Sequence, residues 1–594
     1  MPGGIIQQQV QVAIARAVEK LKEQGHLQNA QVPPIVVEFP KRAEWGDLSS
    51  PIAMALAKLE RKPPHVLAAL LADSLQATCP FIEQVHVAPP GFLNLVIRPD
   101  AWCAVLQDVE DQRDRYGWSN LGQGKRVLLE YVSANPTGPL HMGHGRGAAL
   151  GDALARLLTA TGYTVQREYY INDAGRQMKL LAASVYARYC QHFGKEMALP
   201  EDGYWGSYIE QVAVQIAQQV GRTLLDRPIA AAQEECGRLA YEHLLETIRQ
   251  DLKAFRVEFD SWFRETQLIA SGAVQHALDM LREKGLVFEQ DGALWFRSSQ
   301  FGDEKDRVVC KQNGEYTYLA SDIAYHYDKL QRGVDFLINI WGADHHGYVS
   351  RMQGAVQAFG YATDCLRVVL VQMVSLLRGG KKVDMSKRAG EFVTLREVLD
   401  EVGPDATRFF FLMRRADTPL DFDLDLAKTQ SAENPVYYVQ YAHARLASLF
   451  RVAQQRGITV PLVRDAPVHV LVQPEELKLI KQLSVFPELV ETCAQTLEPH
   501  RLTFYLQELA GLLHVFYFKH RVLPSHVNGE KGEEGVVKKK KKTLDEVQGT
   551  AEAGMVQEPV SAEKTAARLA MLRQVQTVIQ NGLFLLGVTA PESM

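Results

Sequence analysis

A chain of 594 residues is too long for one hydrophobic core and is expected to divide into about three or four domains. Its 65 Lys and Arg stand against 70 Asp and Glu, a formal net charge of −5, which excludes a globally basic nucleic-acid binder and leaves local patches for any RNA contact. The hydrophobic share of 46% is that of a globular protein, and no apolar run is long enough to span a bilayer, so no membrane partner is expected.

Residues 1–115 read as an α+β unit. The first 25 residues alternate apolar and charged side chains as a surface helix does, without the apolar core of a signal peptide. Val36–Phe39 and Phe92–Ile97 are predicted strands, and Ile52–Leu59 a predicted helix. Leu121-Gly-Gln-Gly-Lys125 reads as a linker.

Residues 121–402 carry a β-α-β pattern. Val127–Val132 and Thr164–Tyr170 are strand-like, and between them Leu150, Leu154, Leu157 and Leu158 recur at helical spacing up to Gly162, which is placed as a C′ glycine. The pattern resumes with strands at Phe336–Trp341 and Leu366–Val371. This predicts a multidomain α/β protein whose central unit is a Rossmann-like, doubly wound parallel sheet, with a helical insertion over about 180–305. From about Gly403 to the end the strand signal fades. Pro435–Gln455, Pro474–Leu483 and Leu502–Val522 read as helices of a C-terminal bundle. Inside it, about 526–561 is poor in aromatics and holds five consecutive lysines, Lys538–Lys542. It reads as a disordered insert and a solvated charge run, with a localisation or RNA-tether role as the alternative.

Seven dispersed cysteines, with no CxxC pair, argue against a zinc ribbon or a disulfide frame and for a reducing, cytoplasmic setting.

Two motifs carry chemistry. The first is Ser133-Ala-Asn-Pro-Thr-Gly-Pro-Leu-His141-Met-Gly-His144. It follows the first predicted strand of the sheet, where open α/β sheets bind ligands. A helix starting there aims N–H groups at an anion, His141 and His144 can donate to phosphate oxygens, and Gly143 and Gly145 remove side chains from the approach. The second is Met385-Ser-Lys387-Arg388-Ala-Gly390, in a polar segment bracketed by glycines. A lysine on such a loop can neutralise charge on leaving pyrophosphate. Together the two motifs point to adenylate chemistry on ATP.

With these residues in view, the chain resembles the class I aminoacyl-tRNA synthetases, and most closely the arginyl-tRNA synthetases. HMGH resembles the family's HIGH signature and MSKR its KMSKS signature. The likeness extends to Tyr170-Ile-Asn-Asp-Ala-Gly175, Trp341-Gly-Ala-Asp-His-His346, Ser386–Thr394, Glu433–Arg445 and Gly587–Met594, and leaves out the Lys-rich insert. One position departs: Asp384 stands where the signature has its first lysine, and Lys381 and Lys382 lie nearby to compensate.

The resemblance implies a ligase that joins L-arginine and ATP into arginyl-adenylate, releases pyrophosphate, and passes the arginyl group to the 3′-terminal ribose of tRNA(Arg). It implies His141, His144 and Lys387 as catalytic residues. Gly143, Gly145, Asp344, His346, Lys382, Met385 and Ser386 then fall near ATP, with Mg2+ arriving on the phosphates and no protein-bound zinc. Glu130, Asn135, Tyr318 and Asp322 match arginine-binding positions. Asp322 is expected to pair with the guanidinium, Tyr318 to line the pocket, and Glu130 or Asn135 to hold the α-amino and carboxylate end; Tyr318 and Asp322, four apart, share a face if helical. Tyr438 and Tyr441 match positions near the anticodon, with packing in the core as the alternative. Residues 1–115 resemble the family's tRNA-contacting N-terminal domain, where Lys41, Arg42 and Trp45 are candidate contacts. A metal reading of Asp344, His345 and His346 is weaker than a nucleotide contact, because adjacent side chains diverge. A monomer is expected. A synthetase for another amino acid and a catalytically silent tRNA-binding relative remain the competing readings.

Overall fold

The computed structural model describes residues 4–29, 31–383, 393–524 and 560–594. Asp384, Met385, Ser386, Lys387 and Arg388 therefore lie outside the described residues, as does the Lys-rich stretch up to residue 559.

The N-terminal unit opens with α1 (Ile5–Glu23), which buries Ile6, Val10, Ile14 and Val18 one turn apart. β1 (Leu48–Ser50), α2 (Ile52–Glu60), α3 (Pro64–Thr78), β2 (Ile82–Ala88) and β3 (Phe92–Ile97) follow, and the three strands form an antiparallel sheet in the order β1-β3-β2. Predicted Val36–Phe39 makes only an isolated bridge, Glu38 to Ser49. Helix α4 (Pro99–Gln112) leads out of this unit.

The central sheet has five parallel strands: β4 (Arg126–Glu130), β5 (Thr164–Ile171), β6 (Ser261–Arg264), and later β10 and β11. Between β4 and β5 runs α5 (Met142–Ala160), capped by Thr161 and followed by Gly162 at φ +85°, the left-handed turn that a C′ glycine supplies. The expected helical insertion begins as α6 (Arg176–His192), α7 (Ser207–Val220) and α8 (Ile229–Ala254), which share their own apolar core. It is not helical to its end. The chain returns to the sheet edge as β6, then forms α9 (Glu265–Ala270), α10 (Ala273–Glu283) and a small antiparallel sheet, β7 (Val287–Gln290), β8 (Ala293–Phe296) and β9 (Arg307–Cys310). The β7–β8 turn is Asp291-Gly292, both at positive φ, which is the two-residue hairpin geometry that Asp-Gly favours.

Helix α11 (Tyr318–Gln331) precedes β10 (Phe336–Gly342), and α12 (Val349–Ala358) precedes β11 (Leu366–Val371). The strand order is β11-β10-β4-β5-β6. From β4 the chain winds outward through β5 and β6; from β10 it winds the other way to β11. The crevice between the carboxyl ends of β4 and β10 is therefore the switch point where doubly wound sheets bind ligands. β4 and β10 are buried over most of their length, as central parallel strands must be.

A hairpin, β12 (Val374–Arg378) and β13 (Lys381–Lys382), is joined in parallel by β14 (Leu420–Asp423). Between them runs α13 (Leu395–Leu412), broken by Gly403 and Pro404, and α14 (Leu424–Lys428) closes this part. A helical unit starting at Gly403 is thus too early: β14 is too short to signal itself, and it completes the sheet that β12 began. The bundle proper consists of α15 (Pro435–Gln455), α16 (Pro474–Thr496), α17 (His500–Lys519) and a C-terminal helix, Ala562–Leu585. One apolar cluster runs without interruption from α1 through the sheet to this bundle. No described helix is long and apolar enough to cross a membrane.

Candidate active site

The HMGH turn sits at the carboxyl end of β4, at the crevice. His141 is the N-cap of α5. Its Nδ1 accepts the Gly143 N–H at 3.1 Å, and the His144 Nδ1 accepts the His141 N–H at 3.3 Å. The two rings stack with centroids 3.7 Å apart. With both Nδ1 atoms accepting, Nε2 is the donor on each neutral ring. The sequence thus places two imidazole donors at a helix N-terminus, where the backbone dipole already favours an anion.

The approach to this turn is held rigidly. Val132 and Ser133 adopt φ of +67° and +40°, strained values for side-chain-bearing residues. Ser133 Oγ donates to Glu130 Oε1 at 3.0 Å and accepts the Tyr170 N–H at 3.1 Å. Tyr169 donates to the Ala134 carbonyl at 2.8 Å, and Tyr208 of α7 to that of Thr137 at 2.9 Å. Gly143 faces the His141 ring, but Gly145 does not open a path to a nucleotide. A Cβ there would lie 2.7 Å from Leu395 Cδ1 and 3.1 Å from the Phe411 ring, so Gly145 lets α5 pack closely on α13.

The second motif lies outside the described residues. Of the described residues that flank it, Lys381 and Lys382 form β13, and Thr394 bridges His141. The Leu395 N–H donates to the Leu140 carbonyl at 2.8 Å. Lys382 is exposed on β13, with Nζ 3.4 Å from Ser375 Oγ and 3.6 Å from Asp421. Asp344 and His346 follow β10 in a short turn, Ala343–Tyr348, and both are exposed beside the crevice. Asp344 pairs only loosely with His345, at 3.6 Å.

Tyr318 and Asp322 lie one turn apart at the start of α11, so they share a face as expected. Tyr318 is 64% exposed, and its hydroxyl points toward Gly175. Asp322 is largely enclosed, and Tyr348 donates to its Oδ2 at 2.6 Å. Burial pushes its carboxyl up to about 7; the charges of Glu130 and Glu265 add to that, while the Tyr348 hydroxyl and Lys329 oppose it. Asn135 donates to Gln177 Oε1 at 2.7 Å near the mouth. Glu130, at the end of β4, is buried and ion-paired with Lys329 at 2.8 Å.

Three residues escaped the sequence reading. Glu265 follows β6 and is 5% exposed beside Ser321 and Tyr170; burial raises its carboxyl, and Asp173 raises it further. Asp173 is itself paired with Arg264 at 2.7 Å. Among the described residues Glu265 makes no ion pair, and its sequence signal is an acidic residue at the carboxyl end of a four-residue strand. Tyr348 and Lys329 carry no local signal at all. The result is a pocket with two uncompensated carboxylates, Asp322 and Glu265, next to a phosphate-seeking helix terminus.

Tyr437, Tyr438 and Tyr441 lie on α15, far along the chain from the crevice, and all are partly buried. The Tyr437 and Tyr441 rings stack at 6.1 Å and 12°, while Tyr438 packs on His514 of α17 at 4.7 Å. In the N-terminal unit Lys41 and Arg42 are exposed, with the Arg42 guanidinium 5.5 Å from the Trp45 ring.

Comparison with known proteins identifies the family. Three family profiles match: "Arginyl tRNA synthetase N terminal domain" over residues 6–97, "tRNA synthetases class I (R), catalytic domain" over 106–416, and "DALR anticodon binding domain" over 439–547 and 552–594. An arginine–tRNA ligase of Geobacter sp. (strain M21) is 47% identical over 593 residues, covering 99% of this chain and 100% of the relative. One from Geobacillus thermodenitrificans is 45% identical over 598 residues, covering 100% and 99%. The solved arginyl-tRNA synthetase of Thermus thermophilus superposes with a TM-score of 0.70 at 25% identity, covering 99% of this chain and 100% of that one. The chain belongs to the arginine–tRNA ligases, the arginyl branch of the class I aminoacyl-tRNA synthetases.

Proposed function

We propose that this chain activates L-arginine with MgATP and charges tRNA(Arg) at the β4–β10 crevice, with the following division of labour. The observation that carries the reading is the meeting of a cation-seeking pocket, Asp322 and Glu265, with an anion-seeking turn, His141 to His144, at one switch point. Asp322 and Glu265 accept the N–H fork of the guanidinium, and Tyr318 closes over it. Asn135 holds the α-amino and carboxylate end. Glu130 lies below it and acts through Ser133.

In the first step an α-carboxylate oxygen attacks the α-phosphorus. The new O–P bond forms as the bond to the β-phosphate oxygen breaks, and pyrophosphate leaves with its electron pair. The Nε2–H groups of His141 and His144 donate to oxygens on which charge grows, and Lys387 neutralises the leaving pyrophosphate. Gly143 gives close access to the phosphates, while Asp344, His346, Lys382, Met385 and Ser386 border the nucleotide. Gly145 contributes by packing, as its contact with Leu395 indicates. In the second step a hydroxyl of the tRNA terminal ribose attacks the arginyl carbonyl carbon; the ester C–O bond forms as the bond from that carbon to the phosphate oxygen breaks, AMP leaves with the electron pair, and the hydroxyl proton is released with it. Positioning and charge stabilisation supply the rate. Mg2+ enters on the triphosphate as part of the substrate.

Tyr441, stacked with Tyr437, offers a face for unpaired anticodon bases; Tyr438 supports it from the α17 side. The chain acts as a cytoplasmic monomer. The test is aminoacylation of total tRNA with each standard amino acid, together with tRNA-dependent ATP–pyrophosphate exchange. Arginine alone is expected to be charged; charging of another amino acid, or exchange with none, overturns the reading.

A further inference from the structure

Beneath the arginine pocket runs a row of buried polar side chains at one level of the sheet. Asn339, Glu130 and Glu168 are register partners across β10, β4 and β5. Asn339 and Glu168 are 0% exposed and Glu130 6%. Two cations from α11 and its end meet them. Arg332 reaches Glu168 at 2.5 Å, and Tyr325 donates to the same carboxylate at 2.6 Å. Lys329, fully buried, lies 2.8 Å from Glu130 Oε2 and 3.2 Å from Asn339 Oδ1, with its ammonium 4.3 Å from the Tyr325 ring centroid.

Lys329 thus straddles the switch point, bonded to the last residue of β4 and to its partner on β10. From Asn339 the chain of contacts continues. The Asn339 amide lies 2.8 Å from His326 Nε2, and His326 Nδ1 lies 2.8 Å from the Asp322 carbonyl oxygen. On α11, Tyr318, Asp322, Tyr325 and Lys329 fall at i, i+4, i+7 and i+11, one stripe running from the mouth of the pocket to its floor. A buried ammonium is costly, and an apolar side chain would fill this position without that cost. Its presence calls for a reason beyond packing.

We propose that Lys329 is a positioning residue and the fixed counter-cation of the arginine pocket: it holds Glu130 and the Asn339–His326–Asp322 chain across the crevice and cancels the Glu130 charge, leaving Asp322 and Glu265 for the guanidinium. This rests on the reading of the Asp322 pocket as the arginine site. Asp322 is faced by Glu130 from β4, Tyr170 from β5, Glu265 from α9 and Tyr348 after β10, besides His326 and Lys329 on its own helix, while Asp173, paired with Arg264, stands beside Glu265. Arg351 stands behind Tyr348, 5.0 Å from its ring. Lys329 is the cation that opposes the upward push of its acidic neighbours on Asp322. Removing it leaves Glu130 unbalanced and raises the pH needed to ionise Asp322.

The test measures aminoacylation by the full-length enzyme at saturating ATP and tRNA, with arginine varied from pH 6 to 9. Lys329→Met is expected to raise the arginine KM about tenfold at pH 7.5 and to move the pH at which KM begins to climb upward by about one unit, with the ATP KM unchanged. Lys329→Arg restores most of the loss. Asn339→Asp keeps the lysine and the shape but adds a negative charge, and moves the same pH midpoint upward. If Lys329→Met does not fold, Asn339→Asp decides alone. An unmoved midpoint in every folded variant, with only kcat or melting temperature reduced, makes Lys329 a structural residue and overturns the inference. Asp322→Asn separates the two claims: if it too leaves the arginine KM unchanged, the pocket assignment itself fails.

Discussion

The two sides of the β4–β10 crevice are built on opposite plans. On the α11 side, carboxylates from separate elements converge with fixed hydrogen-bond partners: Asp322 held by Tyr348, Glu130 by Lys329 and Ser133, and Glu265 buried beside Ser321 and Tyr170. On the α5 side, recognition comes from a helix terminus and two imidazoles oriented by backbone N–H groups, with Thr394 bridged to His141. The difference follows from the ligands. A guanidinium has one planar donor pattern, which fixed acceptors in a water-poor pocket match best. A triphosphate gains charge at one oxygen after another as pyrophosphate leaves, so groups that engage in the transition state help more than groups that bind the ground state.

That contrast breaks most sharply on the phosphate side. Lys387→Ala is expected to slow single-turnover adenylate formation about 10²–10³-fold while arginine KM stays within about twofold of wild type. A near-normal rate removes Lys387 from the step. On the arginine side, Asp322→Asn removes a charge-assisted pair of about 1.5–3 kcal/mol and raises arginine KM on the order of 10–100-fold, sparing ATP. Glu265→Gln follows in the same direction with a smaller rise. Equal loss for arginine and ATP in either variant would mean a collapsed crevice rather than a lost partner.

The pH response sharpens the same comparison. The guanidinium binds the carboxylate and not the acid, and burial pushes the Asp322 carboxyl up to about 7. Arginine KM is therefore expected to be flat above that pH and to climb toward tenfold per unit below it. Stability has its own sign. The folded value is raised above the usual 3.8, so the free enzyme holds this proton more tightly than the unfolded chain does. The resulting stability is present below about pH 4 and is lost as pH rises to about 7. Asp322→Asn should therefore melt above wild type at pH 8 without arginine and lose that advantage near pH 4; an unchanged difference across that range would contradict the burial argument.

The sequence exposed whatever repeats locally. β4 and β10 are apolar runs buried over most of their length, β5 and β11 carry strand-length runs rich in β-branched and aromatic residues, and each was legible to within two residues. The histidine pair was legible as a motif at a strand-to-helix turn, whereas Tyr318 and Asp322 were reached through the family resemblance, and helix α11 sets them on one face. What remained hidden is created by tertiary pairing. β6 has four residues and bonds only β5 at the sheet edge, so no period identifies it. Glu265 enters the pocket only because β6 exists. Lys329 reads as one more surface lysine on an amphipathic helix until α11 is laid over Glu130 and Asn339. The Asp291-Gly292 hairpin, by contrast, carried a visible turn signal inside the stretch read as helical.

The smallest expected effect lies far from the crevice and separates two neighbouring tyrosines. Tyr438 faces α17: its ring packs on His514, and the gap left by Gly511 receives its hydroxyl, which a Cβ there would approach to 3.5 Å. Tyr441 stacks along its own helix with Tyr437 and lies farther from His514, at 6.0 Å and 24°, and it remains partly exposed. A base stacked on such a ring is worth about 1–3 kcal/mol, so Tyr441→Ala is expected to raise the tRNA KM about tenfold with arginine and ATP unaffected. Tyr438→Ala should act through packing, lowering the melting temperature and raising the tRNA KM less. The ratio of the two tRNA KM changes is the decisive number, because a purely structural role for both tyrosines predicts that tRNA binding follows stability. If Tyr438→Ala harms tRNA binding more than Tyr441→Ala at equal folded fraction, the stacking surface belongs to the other ring.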